Sequence, residues 1–390
     1  MKLLNILLST LLSLSLVSGF HDQFHHFIQR YNRSYSDIYE YTYRSDIFSQ
    51  NLKTIQRYNS LNLSFTLAIN EFADLTSDEF ANSRNLLFSN QHPKSPSPFV
   101  PQNIDNLPTA LDWRVPSGNP KGLIAVTPIK NQEQCGSCWS FSASGATEGA
   151  WAISTGKLVS LSEQQLIDCS SSFGNNGCNG GDMDSAFQYI QQAGLCTEAS
   201  YPYQAADGTC KKCTPIAHLN GYIDIPDETS ILQEIQKGPV SIGLEADQSV
   251  FQFYSGGVLD DSSCGTQLDH GVLIVGYGED SGKPYWIVKN SWGSDWGESG
   301  YIRIVRAKGM CGIGQMQSRP YYSNKLDSGL TCAEKLSSVF SCGDDVPCIV
   351  VKAVEAVVGC ESYVCPRLPS WMRTPLIVPV CYFYCQSNSC

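Results

Sequence analysis

Between residues 40 and 59, Glu40, Arg44, Phe48, Asn51, Ile55 and Asn59 recur at steps of four and three. That spacing predicts a helix carrying all six on one face, with Glu40 and Arg44 able to pair across a turn. The face mixes charge, amide and apolar groups, so it is not a plain core stripe. Asn70, Phe72 and Asp74 then alternate, as in a short strand or turn. Further helices are predicted after Cys138, over 162–169 and over 184–193. The chain then alternates glycine with short β-branched or aromatic runs, at 238–244, 271–277, 284–289 and 300–305. These runs read as antiparallel strands. A helical half followed by a strand half predicts one α+β unit from Leu107 to Tyr322, with a cleft between its lobes.

The pattern breaks on both sides of this unit. Lys2 to Gly19 is a short basic start, a leucine-rich run and then small residues. The run is too short to span a bilayer and reads as a secretory signal over 1–19. No later segment is a credible membrane span. Residues 20–106 are polar, aromatic and free of cysteine. They end in a Ser/Pro-rich stretch, 89–102, expected to be extended and open to proteolysis. Two sequons, at Asn32 and Asn62, fit a secretory route. Residues 323–390 hold eight cysteines, at 332, 342, 348, 360, 365, 381, 385 and 390, and read as a separately stapled extension.

Composition sharpens this picture in two ways. Seventeen cysteines in a chain with a secretory start imply a disulfide framework, and the odd count leaves at least one thiol over. The net charge of −11 argues against a nucleic-acid partner.

The left-over thiol is best sought in Gln132 to Glu148, where Cys138 follows a tight Cys135-Gly136-Ser137 turn and opens a helix. There it faces unpaired backbone N–H groups and the positive end of the helix dipole, which favour thiolate. A cysteine nucleophile needs a base, and the base needs an orienting group. His218 lies in a polar, loop-like segment and reads as solvated. His270 opens an apolar strand and suits the base. Asn290 ends another strand, where its amide oxygen can accept the imidazole N–H and select the tautomer. Trp292 can shield that bond from water. Gln132 can aim its amide N–H at a developing oxyanion. No Cys/His quartet has zinc spacing, so neither metal nor cofactor is expected.

At these residues the chain resembles the papain-like cysteine proteases of the cathepsin L type. The resemblance spans about residues 24–322. It rests on Gln132 through Phe141, on 177–181, on Asp269-His270-Gly271 and on Asn290 through Gly297. His270 and Asn290 lie 132 and 152 residues beyond Cys138, near the family spacing. Glu40 through Asn59 matches the interspersed helix motif of the family's propeptide, although Ala68 stands where a shorter propeptide motif has glycine.

The resemblance implies a helical propeptide, a helical left lobe, an antiparallel β-barrel right lobe and an active site in the cleft between them. It implies Cys138 as nucleophile, His270 as base and then acid, Asn290 as orienter, and Gln132 with the Cys138 N–H as oxyanion hole. Thiolate and imidazolium are expected to form an ion pair, and peptide cleavage to pass through an acyl-enzyme. It implies substrate contacts at Gly180, Gly181 and Trp292. It implies an apolar pocket at Met183, Gly243, Leu268 and Met316 for the side chain two residues before the scissile bond, with Asp182 near its rim. Bridges Cys135–Cys178, Cys169–Cys210 and Cys264–Cys311 follow from it, which leaves Cys196 and Cys213 to pair with each other. The segment between Arg114 and Val126 is an insertion of unassigned role.

The reading is therefore a monomeric endopeptidase made as a zymogen. It acts on protein and peptide substrates, is inhibited by its own propeptide, and is destined for an acidic vacuole, a lysosome or the outside of the cell. A cysteine-rich binding protein without activity would explain the cysteines but not the set Gln132, Cys138, His270 and Asn290. An exopeptidase or peptide ligase on the same scaffold is the second alternative, separable by the products of a long peptide; no insertion resembles an exopeptidase's occluding loop, which favours an endopeptidase.

Overall fold

A computed structural model describes residues 22–84, 93–102 and 106–322. The leucine-rich start, residues 89–92 of the Ser/Pro stretch and the cysteine-rich extension lie outside the described residues.

The N-terminal segment is built on two helices, α1 over residues 22–30 and α2 over Ile38–Asn59. Asp37 caps α2 by accepting from the N–H groups of Tyr39 and Glu40. Phe24, Phe27 and Phe48 pack ring on ring between the helices, with centroids 5.1–6.1 Å apart. The mixed face of α2 now has a physical account. Phe48 and Ile55 are buried. The polar positions hold the turn that follows strand β1 (Phe65–Leu67). Arg44 donates to the carbonyl of Asp74 and pairs with Glu79 at 2.8 Å. Asn51 donates to the carbonyls of Ala73 and Leu75. The Asn59 amide exchanges two hydrogen bonds with the backbone of Leu67. Residues 71–74 form a turn rather than a strand. A third helix, α3, runs over Ser77–Arg84.

In the larger unit the central element is α4 (Cys138–Thr155). It is buried on nearly every side, which its small residues permit. A Cβ at Gly149 would lie 2.6 Å from Pro239, and one at Gly145 would lie 2.9 Å from Leu273. The helix ends on Gly156 in the left-handed region at φ 72°. Behind it a buried charge network replaces apolar packing. Lys130 Nζ contacts Glu148 at 2.9 Å and Glu163 at 2.6 Å. Helices α5 (Glu163–Cys169) and α6 (Met183–Ala193) complete the helical lobe.

The strand lobe adds β2 (Leu111–Asp112), β3 (Gly221–Asp224), β4 (Val240–Leu244), β5 (Tyr254–Leu259), β6 (His270–Asp280), β7 (Lys283–Lys289), β8 (Tyr301–Val305) and β9 (Gln317–Tyr321). The sheet follows the order β1-β5-β8-β7-β6-β4-β9-β3, with β2 on β6. This corrects the expected antiparallel barrel in two respects. The path is open, because β1 pairs only with β5 at one end and β3 only with β9 at the other strand end. One pairing, β5 with β8, is parallel. The class is α+β, as expected.

Three details bear on the connecting segments. The Ser/Pro stretch is extended but held. Ser95 N–H donates to Asp224 at 2.7 Å, and Ser97 bridges Ile223 in parallel along the free edge of β3. The insertion after Arg114 is pinned by Asn119, whose amide donates to the carbonyls of Val115 and Leu123. Among the described residues there are four disulfides, Cys135–Cys178, Cys169–Cys210, Cys196–Cys213 and Cys264–Cys311. Among the described cysteines this leaves Cys138 as the free thiol.

Candidate active site

Cys138 is the first residue of α4, and Ser137 before it makes no side-chain cap. The loop that delivers it is tied down by the Cys135–Cys178 bridge and by the Gly136 N–H donating to the Cys178 carbonyl at 3.0 Å. The Cys138 sulfur is approached by the backbone N–H groups of Gly271, Trp139 and Cys138 itself. Gly271 explains how the lobes come so close. A Cβ there would lie 3.2 Å from the Trp139 Cα and 3.1 Å from the Met183 sulfur. The residue after His270 must therefore be small for the strand to reach the helix start.

His270 opens β6 and is fully buried. Its Nε2 lies 2.8 Å from Asn290 Oδ1. The same oxygen accepts the Ser291 backbone N–H at 2.8 Å, which identifies it as the acceptor. Nε2 must then carry the proton, and Nδ1 keeps a lone pair. Nδ1 has no hydrogen-bond partner. The Trp292 ring stacks on the imidazole at 4.7 Å, with Phe251 edge-on. His218, by contrast, is exposed.

Gln132 is buried and held at both ends. Its Oε1 accepts from Ser291 Oγ at 2.7 Å and Trp292 Nε1 at 3.2 Å. Its Nε2 donates to the Cys135 carbonyl at 3.0 Å and faces the Arg84 carbonyl, from α3, at 3.4 Å. The N-terminal segment thus reaches the site directly. Phe72 and Phe80 also pack edge-on against Trp292.

Burial acts on both members of the pair. Burial pushes the Cys138 thiol up to about 12, against the three N–H groups around it. Burial pulls His270 down to about 4, and the bond to Asn290 offsets only part of this. Both directions favour the uncharged thiol and the uncharged imidazole while the segment is in place.

The expected pocket residues gather on one side of Cys138. Met183 is buried beside Gly271. Gly243 pairs with Gly271 and donates its N–H to the Met316 carbonyl. Leu268 is half-buried two residues before His270. Gly181 lies flat on Trp139, where a Cβ would be 2.6 Å from the indole, and Gly180 adopts φ 96°. Asp182 is not at a rim. It is fully buried and caps α6 by accepting the Ser185 N–H at 2.8 Å. Helix capping accounts for an acid at this position. Sequence reasoning missed its neighbour Asp184. Burial and then the Asp182 charge raise the Asp184 carboxyl well above its ordinary range, and it also faces Asp224. No motif marks this cluster, since β3 and α6 meet only in the fold.

A profile of the papain family cysteine proteases matches residues 107–321, and one of the cathepsin propeptide inhibitor domain matches 24–80. The chain belongs to the papain family of cysteine proteases and is made with a propeptide. It is 45% identical over 303 residues to the senescence-specific cysteine protease SAG39 of Oryza sativa subsp. indica, covering 75% of this chain and 87% of that one. It is 43% identical over 329 residues to vignain of Ricinus communis, covering 80% and 87%. Digestive procathepsin L 3 of Tenebrio molitor larval midgut superposes with a TM-score of 0.68 at 41% identity, over 78% of this chain and 99% of that structure.

Proposed function

We propose that this protease is an endopeptidase in which Cys138 attacks the peptide carbonyl, His270 takes and returns the proton, and Asn290 orients the imidazole. The observation that carries this reading is the His270–Asn290 hydrogen bond, at 2.8 Å under the Trp292 ring, with Nδ1 left unpaired. That arrangement leaves the base its lone pair. When the propeptide leaves, water returns to the site while the Gly271, Trp139 and Cys138 N–H groups stay. The thiol pKa then falls, the imidazole pKa rises, and a thiolate–imidazolium pair forms. The Gln132 N–H that faces the Arg84 carbonyl becomes available to the oxyanion, beside the Cys138 N–H. Collapse of the tetrahedral adduct expels the amine, which His270 protonates. Water then cleaves the acyl-enzyme.

Met183, Leu268 and Met316 support a preference for an apolar side chain two residues before the scissile bond. Four disulfides and the leucine-rich start support a secretory route ending in an acidic vacuole, a lysosome or outside the cell. Among the described residues no helix is long and apolar enough to cross a membrane. We take the enzyme to act as a monomer on protein and peptide substrates. The test is a digest of a peptide library by the acid-matured protein, read by mass spectrometry. Internal cuts two residues after apolar side chains are expected. Products trimmed only at their ends would replace the endopeptidase reading with an exopeptidase.

A further inference from the structure

We propose that the mature enzyme has a second specificity element on the leaving-group side of the cleft, a subsite around Glu133 that takes a basic side chain of the substrate. The inference rests on the peptidase reading above and extends it.

The propeptide fills this position with an arginine. Arg84 is 5% exposed, although its guanidinium is charged. Its Nη1 donates to the Glu133 carbonyl, its Nη2 lies 3.5 Å from Glu71, and its guanidinium stacks 4.5 Å above the Phe72 ring. Its Nε has no partner. The Arg84 carbonyl lies 3.4 Å from Gln132 Nε2. A basic side chain thus sits beside a carbonyl already facing the expected oxyanion donor.

The side of the cleft follows from the course of the chain. Phe72 and Phe80 pack on Trp292, and Arg84 meets Gln132. Residues 93–97 then lie along β3, whose Tyr222 accepts from Gln188 of α6. Met183, on the first turn of α6, belongs to the pocket for residues before the scissile bond. The cavity at Arg84 is lined from Asn131, Glu133 and Gln134 and shares no residue with that pocket, which fits residues after the bond.

Part of the site leaves with the propeptide and part remains. A cavity of about 530 Å³ lies between the two. Glu71 and Phe72 depart, while Asn131, Glu133, Gln134 and Gln204 stay. Glu133 is then the acid left at the site. Its backbone is unusual for a side-chain-bearing residue, with φ 54° in the left-handed region. Asn131 Oδ1 fixes that turn by accepting the Glu133 N–H at 2.9 Å, and the turn aims the carbonyl at the guanidinium. Tyr203 braces it from below, donating to the Gln132 carbonyl at 2.7 Å. A substrate arginine meets this carbonyl and the carboxylate together, whereas a substrate glutamate meets like charge.

The test uses acid-matured enzyme and fluorogenic peptides with one fixed apolar half before the scissile bond. Arg, Ala or Glu is placed in turn at each of the three positions after it. At one position Arg is expected to exceed Ala in kcat/KM by about tenfold, the scale of one charge-assisted hydrogen bond, with Glu below Ala. In Glu133→Gln the Arg-to-Ala ratio should fall at least threefold. Equal rates for Arg and Ala at all three positions would overturn the proposal while leaving the peptidase reading intact, and this arm needs no variant to fold. An unchanged ratio in Glu133→Gln would also overturn it. If none of the peptides is cleaved, the peptidase reading fails and this inference fails with it.

Discussion

The neutral state of the covered pair makes a quantitative prediction about Cys138. A thiol held near 12 by burial is ionised in about one molecule in 10⁵ at pH 7, whereas an ordinary cysteine near 8.5 is about 3% ionised. Because the thiolate is the nucleophile, the zymogen should react with iodoacetamide more than about 10³-fold slower than a free thiol. Acid-matured enzyme returned to pH 7 should react at least as fast as that free thiol. The zymogen rate should also climb about tenfold per pH unit from 7 to 9 without a plateau, since its pKa lies above that range. Timed alkylation, quenching and peptide mapping of the Cys138 peptide give both numbers. Zymogen labelling within tenfold of the mature rate, or a plateau below pH 8, would refute the claim that the propeptide suppresses the nucleophile by desolvation.

Other substitutions separate chemistry, maturation and stability. Cys138→Ala and His270→Ala should abolish hydrolysis of a small peptide with circular dichroism unchanged, while Asn290→Ala should keep weak activity, since base and nucleophile remain. Burial tends to raise Glu79, but the Thr76 N–H and Arg44 outweigh it and leave its pKa lowered. Its support for the propeptide is therefore complete above its ordinary value of 4.5 and is lost as pH falls below it. Glu79→Gln should then mature at higher pH than wild type, as read on gels across a pH series. Lys130→Met takes from buried Glu148 and Glu163 the cation that contacts both, with Lys289 still nearby, and should cost about 3 kcal/mol, seen as a lowered midpoint in urea. A chain ended at Tyr322 and refolded with its propeptide should cleave a short peptide within about tenfold of full length, roughly 1.4 kcal/mol. A larger loss would mean that residues 323–390 help to build the site.

The candidate site was more legible in the sequence than the sheet. Cys138, His270, Asn290 and Gln132 sit in local motifs whose chemistry depends on short segments. The α2 periodicity also announced a helix, and its mixed face became intelligible only once the 67–75 turn was seen against it. Strand β9 was not readable, because Gln317, Ser318 and Arg319 are polar yet buried. Arg319 is held there by Glu234 at 2.8 Å and Gln317 by the Ile225 carbonyl, partners far away in the chain. Strand β5 carries Gly256 and Gly257, which weaken any strand signal. Gly257 is needed because a Cβ would lie 2.3 Å from the Ser64 carbonyl oxygen.

The open sheet has a consequence for the life of the enzyme after activation. Both of its ends are covered by the part of the chain that precedes Leu107. β1 pairs along β5 at one end, and Ser97 bridges β3 at the other. Removing that part bares two strands whose outer N–H and C=O groups had partners. Such borders invite self-association. Here each is poor at templating it. The β5 border carries a register shift opposite Thr66 and Leu67 and a left-handed glycine, and the β3 border is only four residues long. Irregular pairing on one border and shortness on the other both work against one copy templating the next.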